Sequence, residues 1–301
     1  LNERQMCDLE MLATGGFSPL NGYMIRSDYE SILDRMRLQD DTLWPIPICM
    51  DIDELRARNL EAGQSVALRD PEGYLLAVMH IEDLWPVERE KEAQQVYGTL
   101  DQTHPGIDYL YKTAGDFYIG GQLEVLSPPL HSDFKQLRMT PAEIRSNFKK
   151  FGWKRMVAFM TRNPIHRPQY EMTLNAMRET NANLLLLPIA GMTKPGDFDH
   201  YTRVRCYRRV AEHYPPDTFM LNLLPLATRM SGPREALLHA IVAKNYGCTH
   251  FITGRDHAGP GSDSTGKPFY GPYDAQELLQ QHEAELGVKM VPFKMMVYVE
   301  D

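Results

Sequence analysis

The sequence predicts an α/β protein in which a mostly-β first domain, residues 1–137, precedes a parallel-sheet domain, residues 138–301. The first part holds short β-prone runs separated by turn signals, with few long helical patterns. From residue 140 onward, strand patterns alternate with helical ones, which is typical of a parallel sheet with helices on both faces. A chain of 301 residues, 43% of them hydrophobic, is long enough for two such domains.

In the first domain the β-prone runs are residues 44–50, 65–68 and 74–79, and a turn signal, Asp-Pro-Glu-Gly at 70–73, separates the last two. The second domain begins at a capping box in which Thr140 precedes Pro141 and Glu143. From there we predict strands at 154–159, 183–187, 218–224, 249–253 and 289–293, and helices at 169–180, 199–213, 233–246 and 273–286.

Two loops carry the chemistry. The apolar run 249–253 is followed by Gly-Arg-Asp-His-Ala-Gly-Pro-Gly at 254–261. A strand that ends in glycines and cations is typical of an anion-binding loop, although a plain strand-to-helix turn is the alternative. Likewise the run 156–159 leads into residues 160–169, where Arg162, His166 and Arg167 precede a helix. Ligands of parallel sheets bind at the carboxyl ends of strands, so we expect both loops to form one anion site.

The charge distribution agrees with that expectation. The chain has a formal charge of −8, which argues against nucleic acid as the main partner. Residues 1–100 hold nine Lys and Arg against nineteen Asp and Glu, whereas residues 160–209 hold eight against four. The cations therefore concentrate beside the predicted anion site. For Arg208 and Arg209, an ordinary solvated helix face is the better interpretation.

Other classes of protein find little support. No apolar run approaches the roughly 20 residues of a membrane helix. The four cysteines have no paired spacing, so we expect neither a disulfide framework nor a zinc site. We therefore expect a soluble cytoplasmic protein. Because the sequence begins at Leu1 rather than at methionine, a removed leader or a trimmed end stays open.

Several motifs, in order along the chain, resemble the ATP sulfurylase (sulfate adenylyltransferase) family. They are Gly-Gly-Phe-Ser-Pro-Leu-Asn-Gly at 15–22, Gly-Gly at 120–121, Thr-Arg-Asn-Pro-Ile-His-Arg at 161–167, Thr-Lys-Pro-Gly-Asp at 193–197, Met-Ser-Gly-Pro-Arg-Glu-Ala at 230–236 and the 254–261 loop. The resemblance covers nearly the whole chain. It implies a PUA-like first domain and a Rossmann-like nucleotidyltransferase second domain.

The resemblance also implies the activity. Members of the family join sulfate to the α-phosphorus of MgATP, giving adenosine 5'-phosphosulfate and pyrophosphate, or run the reverse. The expected partners are these four compounds, with Mg²⁺ carried by ATP and few or no protein ligands to the metal. A homo-oligomer is expected as well. Such a reaction depends on positioning two anions and neutralising their charge.

The resemblance assigns roles to residues of this chain. Arg162, the Ala258 N–H and the position of Met160 would bind sulfate. Asn163 would donate to the α-phosphate, and Thr161 shares that loop. The remaining expected ATP-binding residues are His166, Gln169, Gly254, Arg255, Asp256, His257 and, through its backbone, Met296.

Three positions depart from the family pattern. Met160 stands where the family has Gln, Gln169 where it has the second His of His-x-x-His, and Leu187 where relatives usually have His. Each change replaces a polar or chargeable group near the anion site by a weaker one, and one lost donor commonly lowers a rate by about 10² to 10³. Gln169 still keeps a donor.

Three functions follow as hypotheses. The chain is an active sulfate adenylyltransferase, a catalytically impaired sulfurylase-like domain with a structural or regulatory role, or an adenylyltransferase for another acceptor. Members of the family are sometimes fused to an adenylylsulfate kinase. No Gly-x-x-x-x-Gly-Lys-Ser/Thr loop occurs here, so a kinase module would lie outside this sequence. The impaired domain would then act as scaffold or regulator of that kinase.

Overall fold

The computed structural model describes residues 1–192 and 198–293. Its first part is built on an antiparallel sheet of five strands, in which β5 pairs with β1, β2 and β4, and β4 pairs with β3. The strands are β1 (Gly22–Tyr23), β2 (Met50–Ile52), β3 (Ser65–Arg69), β4 (Leu75–Pro86) and β5 (Phe117–Val125). The helices of this part are α1 (Glu3–Thr14), α2 (Arg26–Arg35), α3 (Glu54–Ala57), α4 (Arg89–Glu92) and α5 (Pro105–Lys112), with a π-helical turn at Ala93–Tyr97.

The two glycines in the middle of β5 explain one of the sequence motifs. A Cβ on Gly120 would lie 1.9 Å from the Met24 carbonyl oxygen, and one on Gly121 would lie 1.9 Å from that of His80. Neighbouring backbone therefore fills the space that any side chain would need. The Gly-Gly pair allows β5 to be packed between other segments of the sheet.

Helices α1 and α2 are the main departure from the predicted mostly-β pattern. Asn2 and Gln5 form a capping box at the start of α1, and Gly15 ends this helix in the left-handed conformation. Both helices pack buried faces against the sheet, for example through Leu9 and Ile32. The antiparallel sheet is thus covered by helices that its own strand pattern did not indicate.

The second part is an α/β unit with a fully parallel sheet. Its strands are β6 (Met156–Thr161), β7 (Asn183–Pro188), β8 (Phe219–Leu221), β9 (His250–Thr253) and β10 (Lys289–Pro292). Its helices are α6 (Pro141–Lys150), α7 (Arg167–Thr180), α8 (His200–Ala211), α9 (Pro233–Asn245) and α10 (Asp274–Leu286), after a 3₁₀ turn at Lys135–Leu137. All nine strands and helices predicted between residues 154 and 293 are confirmed, as is the capping box of Thr140 at α6.

The strand order β8-β7-β6-β9-β10 is that of a Rossmann-like sheet. Strands β6 and β9 are neighbours, although two strands separate them in the chain. The connections run outward from this pair in opposite directions, which leaves a crevice at its carboxyl end. The predicted loops follow β6 and β9, so the fold places both at the topological switch point.

Alternate residues of the parallel strands face opposite sides of the sheet and pack in different apolar clusters. Val157, Leu184 and Ile252 pack on the side of α7, whereas Ala158 and Leu185 belong to the largest apolar cluster. That cluster also contains the buried residues of the antiparallel sheet. The core is therefore continuous between the two sheets rather than divided in two. Within the described residues, no helix has the length and apolar character required to cross a bilayer.

Candidate functional site

The loop after β6 is a tight turn closed by the Thr161 hydroxyl. Thr161 Oγ1 accepts the Asn163 N–H and donates to the Asn163 carbonyl oxygen, both at 3.1 Å. Tyr207 of α8 donates its hydroxyl to the same carbonyl oxygen at 2.9 Å. Two hydroxyl groups thus hold the Asn163 backbone, while its side chain is exposed. The backbone of Asn163 is therefore held in one position, and its side-chain amide extends from there.

A buried arginine supports this turn from behind. Arg203 of α8 is only 4% exposed, and its Nη1 donates to the carbonyl oxygens of Arg162 and Ile189, each at 3.0 Å. A buried charge is tolerable when it is hydrogen-bonded in this way. Arg203 therefore joins the loops after β6 and β7 and fixes the backbone of Arg162.

The side chain of Arg162 faces the second loop. Arg162 Nη1 lies 2.6 Å from Met230 Sδ, and the positive charge of Arg162 influences the pKa of Asp256. Burial raises the pKa of Asp256 above the ordinary value, Arg162 opposes this rise, and Asp274 adds to it. The guanidinium therefore lies between the loop of β6 and the loop of β9, close to one carboxyl group.

The loop after β9 is a strained turn. Asp256 and Ala258 have φ angles of +47° and +57°, which residues with a Cβ rarely adopt. The Gly259 N–H donates to the Asp256 carbonyl oxygen at 3.1 Å, and a Cβ on Gly259 would lie 1.9 Å from Asp256 Oδ1. From outside, the Gly232 N–H donates to the Ala258 carbonyl oxygen at 3.1 Å. Glycine is thus required where the turn closes on itself.

The two loops line one cleft of about 190 Å³ at the carboxyl ends of β6 and β9. This juxtaposition is the one expected from the sequence. Seven of the predicted site residues line the cleft: Met160, Thr161, Arg162, Asn163, Asp256, His257 and Ala258. The other lining residues are Ile189, Thr228, Met230, Glu235, His239 and Gly259.

Four other predicted residues, His166, Gln169, Gly254 and Arg255, are not among those that line the cleft. His166 is exposed at the start of α7, where its backbone N–H donates to Gln169 Oε1 at 3.1 Å. Gln169 therefore caps this helix. Arg255 is exposed, with its guanidinium 5.6 Å from the Tyr273 ring centre. The predicted adenine contact Met296 lies outside the described residues, as does the 193–197 motif.

Two of the three departures are cross-strand partners. Met160 of β6 and Leu187 of β7 are paired in the register of the parallel sheet. Both belong to the largest apolar cluster, and they are 5% and 0% exposed. Met160 is therefore an apolar lining residue of the cleft, whereas its partner Leu187 is fully buried and does not line the cleft. A thioether and an isobutyl group cannot donate hydrogen bonds to an anion.

At the floor of the cleft, the predicted residue His257 lies beside two side chains of α9, Glu235 and His239, for which the sequence analysis predicted no role. His239 Nδ1 lies 2.9 Å from His257 Nε2, and His239 Nε2 lies 3.6 Å from Glu235 Oε1. Burial, together with His239, lowers the pKa of His257 to about 3. Burial acts to raise the pKa of Glu235, but its interactions with His239 and Arg229 outweigh this and hold the pKa below the ordinary value. The i, i+4 spacing of Glu235 and His239 within the otherwise apolar run 235–243 was the available signal.

The cleft is lined by one guanidinium, that of Arg162, together with hydroxyl and amide groups. Among residues 1–192 and 198–293, no group of three or more His, Cys, Asp or Glu side chains is placed to hold a metal ion. Asp256 is the exposed carboxylate at the rim.

Two family models match the chain. The one described as ATP-sulfurylase matches residues 135–301, and the one described as a PUA-like domain matches residues 1–128. Among curated relatives, a sulfate adenylyltransferase of Mycosarcoma maydis is 52% identical over 302 residues, which cover 99% of this chain and 53% of the relative. One of Saccharomyces cerevisiae is 48% identical, over 100% of this chain and 59% of the relative. The chain thus spans little more than half of their length.

Among solved structures, we describe one that is similar over the whole chain. It is described as a hexameric APS kinase from Thiobacillus denitrificans, and it superimposes with a TM-score of 0.78 at 32% sequence identity. The alignment covers 100% of this chain and 52% of that one.

Proposed function

Since this chain belongs to the ATP sulfurylase family, we propose that it is a sulfate adenylyltransferase, acting on sulfate and MgATP or in the reverse direction. The relatives reported above carry that name. The observation that supports this most directly is the cleft at the switch point, where Arg162 and the 254–259 turn converge from neighbouring strands. In the reaction, a sulfate oxygen bonds to the α-phosphorus as the bond from that phosphorus to pyrophosphate breaks.

The proposed sulfate subsite is formed by Arg162 and the Ala258 N–H. A guanidinium can donate two parallel hydrogen bonds to an oxyanion. The turn at Ala258 presents a backbone N–H group, whose position does not depend on a flexible side chain. Met160 forms the apolar wall on the remaining side. The subsite therefore has fewer donors than the family pattern implies.

The phosphates would be bound along the loop of β6. Asn163 would donate to the α-phosphate as charge develops there, and the Thr161 hydroxyl keeps the turn in shape. His166 and Gln169 would face the remaining phosphates at the N-terminus of α7, where the helix dipole favours negative charge. Gln169 performs this role while also capping the helix.

The nucleotide itself would lie along the loop of β9. We propose that Gly254, Arg255, Asp256 and His257 line this site and that the backbone of Met296 reaches the adenine. Both ring nitrogens of His257 are already in contact, with Gly254 and with His239. His257 would therefore shape the site rather than hydrogen-bond to ATP.

Magnesium fits this arrangement as an ion carried by ATP. Mg²⁺ commonly keeps several waters and takes one or two carboxylates together with substrate phosphates. Asp256 at the rim is a suitable single carboxylate. Bound there, the ion would neutralise charge on the phosphates, while Arg162 and the amides orient the two anions.

A second candidate function is supported by the apolar pair Met160 and Leu187. A site that lacks two donors could bind its ligands and yet turn over poorly, so the unit would serve as scaffold or regulator of an adenylylsulfate kinase in a longer protein. The similar structure described as an APS kinase supports this alternative, and its hexameric state supports an oligomer. We propose a cytoplasmic location for either function.

One experiment separates the two candidates. The protein is given adenosine 5'-phosphosulfate and pyrophosphate, and ATP formation is followed by a coupled light assay, because this direction is downhill. We expect ATP formation that is weak but detectable. In parallel, calorimetry with α,β-methylene-ATP and magnesium measures nucleotide binding, which we expect to be intact. Detectable turnover, even if slow, supports the enzyme, binding without turnover supports the second candidate, and absence of both contradicts each.

A further inference from the structure

We propose that Glu235, His239 and His257 form a buried relay that positions the 254–259 turn for binding nucleotide and anion. This inference rests on the function proposed above, since it concerns the same cleft. All three side chains line the cleft floor, yet Glu235 and His239 belong to a helix that is otherwise buried through apolar residues. They are 0% and 3% exposed. They are positioning residues, because they reach the ligand only through the turn.

The hydrogen bonds define the ring tautomers. The Gly254 N–H donates to His257 Nδ1 at 3.4 Å, so this nitrogen carries no proton. The neutral ring is then protonated at Nε2 and donates to His239 Nδ1 at 2.9 Å. His239 in turn carries its proton on Nε2, which faces the Glu235 carboxylate at 3.6 Å. Donors therefore point in one direction, from the turn to Glu235.

The far end of the relay is fixed by backbone amides. Glu235 Oε1 accepts the Arg229 N–H at 2.9 Å, and Oε2 accepts the Ser231 N–H at 3.0 Å. Arg229 is itself bound to Asp8 of α1, with Nη2 at 2.6 Å from each carboxylate oxygen. The relay thus connects the 254–259 turn with α1 in the first part of the chain.

The turn needs such external support. Asp256 and Ala258 adopt a left-handed conformation that is unfavourable for residues with a Cβ. The backbone preferences of these two residues alone would therefore not maintain the turn. His257 is the residue between them, and its ring is held on both sides. Fixing this one ring therefore fixes the backbone on either side of it, including the amide at Ala258.

The test compares two substitutions of His239 in the full chain. In His239→Leu, the His257 Nε2–H group loses its hydrogen-bond acceptor, so this donor is left unpaired below the cleft. In His239→Asn, the amide oxygen can replace Nδ1 as acceptor, although the shorter side chain does not reach Glu235. His282→Leu is the matched control, because His282 faces Glu285 at 3.7 Å on α10, outside the cleft. Thermal unfolding establishes that each variant is folded.

Binding of α,β-methylene-ATP with magnesium is measured by calorimetry. We expect His239→Leu to weaken binding about tenfold, and His239→Asn and His282→Leu to remain within about threefold of the unchanged protein. Equal affinity of all four proteins would overturn the relay while leaving the proposed function intact. An unchanged protein that does not bind the analogue would instead overturn the proposed function, and the positioning role with it.

A second measurement does not depend on ligand. Nitrogen-15 spectra of the histidine rings at pH 7 should show His257 neutral and protonated at Nε2, and His239→Leu should alter the His257 signals more than His282→Leu does. A His257 ring that is charged at pH 7, or protonated at Nδ1, would overturn the relay.

Discussion

At the scale of single residues, the position of a charge decides its role. Arg162, Arg203 and Arg208 lie within one positively charged region of the sequence. Arg162 borders the cleft, Arg203 is buried and binds carbonyl oxygens, and Arg208 is exposed on α8. The amino-acid composition does not distinguish these three arginines, but the surroundings of their guanidinium groups differ in the fold. Of the three, only Arg162 lines the cleft in which we propose that the anions bind.

We expect Arg162→Ala to lower any anion-dependent activity by about 10²-fold or more, since it removes a preorganised donor. Arg208→Ala on the neighbouring helix should change that activity less than about twofold. Steady-state ATP formation and circular dichroism of both variants provide the test. Comparable losses in the two folded proteins would mean that the charge acts generally rather than at one place.

At the scale of secondary-structure elements, the register of β6 against β7 pairs Met160 with Leu187, so two of the departures from the family pattern are neighbours in the sheet. A polar side chain at Met160 or at Leu187 alone would be buried opposite an apolar partner. Two polar side chains placed there together could hydrogen-bond to each other and to an anion. Leaving a buried polar group unpaired costs about 1–3 kcal/mol. The pair is therefore expected to respond to substitution as a unit.

We predict that Met160→Gln and Leu187→His combined with Gln169→His raise ATP formation at least tenfold, because donors are restored toward sulfate and the phosphates. The double variant without Gln169→His should show most of this gain, since Gln169 already caps α7. Met160→Gln alone should lower the melting temperature instead. An unchanged rate in the triple variant would place the defect elsewhere in the protein.

A second prediction at this scale concerns the segment that leads into α6. Asp133 accepts from His200 Nε2 of α8 at 2.5 Å and from Arg138 Nη2 at 3.0 Å. Burial acts to raise the pKa of Asp133, but the hydrogen bonds from His200 and Arg138 outweigh it and lower the pKa to about 2. A depressed carboxyl pKa contributes stability above the unfolded value near 4, and this stability is lost as the pH falls toward 2.

Asp133→Asn should therefore reduce the free energy of unfolding by about 1–2 kcal/mol at pH 6. The difference between the variant and the unchanged protein should shrink steadily between pH 5 and pH 2. Urea unfolding at several pH values measures both quantities. A difference that stays constant over this range would show that the Asp133 charge is not the cause.

At the scale of the whole molecule, the two sheets are joined by buried polar contacts as well as by a shared apolar core. Arg229 pairs with Asp8 at 2.6 Å, and both side chains are almost fully buried. Arg234 of α9 donates to the carbonyl oxygens of Ile32, Leu33 and Pro45 in the first part of the chain. Arg229 and Arg234 are sequence neighbours of Met230 and Glu235, which line the cleft, so we expect the packing of the first part to influence the geometry of the site.

Asp8→Ala should destabilise the protein by about 3–5 kcal/mol, because it leaves the Arg229 charge buried without its partner. Unfolding should remain a single transition, since the core is continuous. Glu54→Ala, which removes an exposed pair with Arg58, is the control and should change stability by less than about 1 kcal/mol. Two separate transitions in the unchanged protein would contradict the view of one cooperative unit.

The sequence by itself determined the second sheet, its helices and the two loops at its carboxyl edge, because strand and helix periodicity and end signals are local. The boundary at residue 137 and the role of Met296 stay predictions. Only the tertiary structure decided that Met160 faces Leu187, because strand register is set by packing. It also brought Glu235 and His239 beneath His257, through contacts between residues distant in the chain. The contact between α9 and the 254–259 turn has no local signature, since folding alone brings these two segments together.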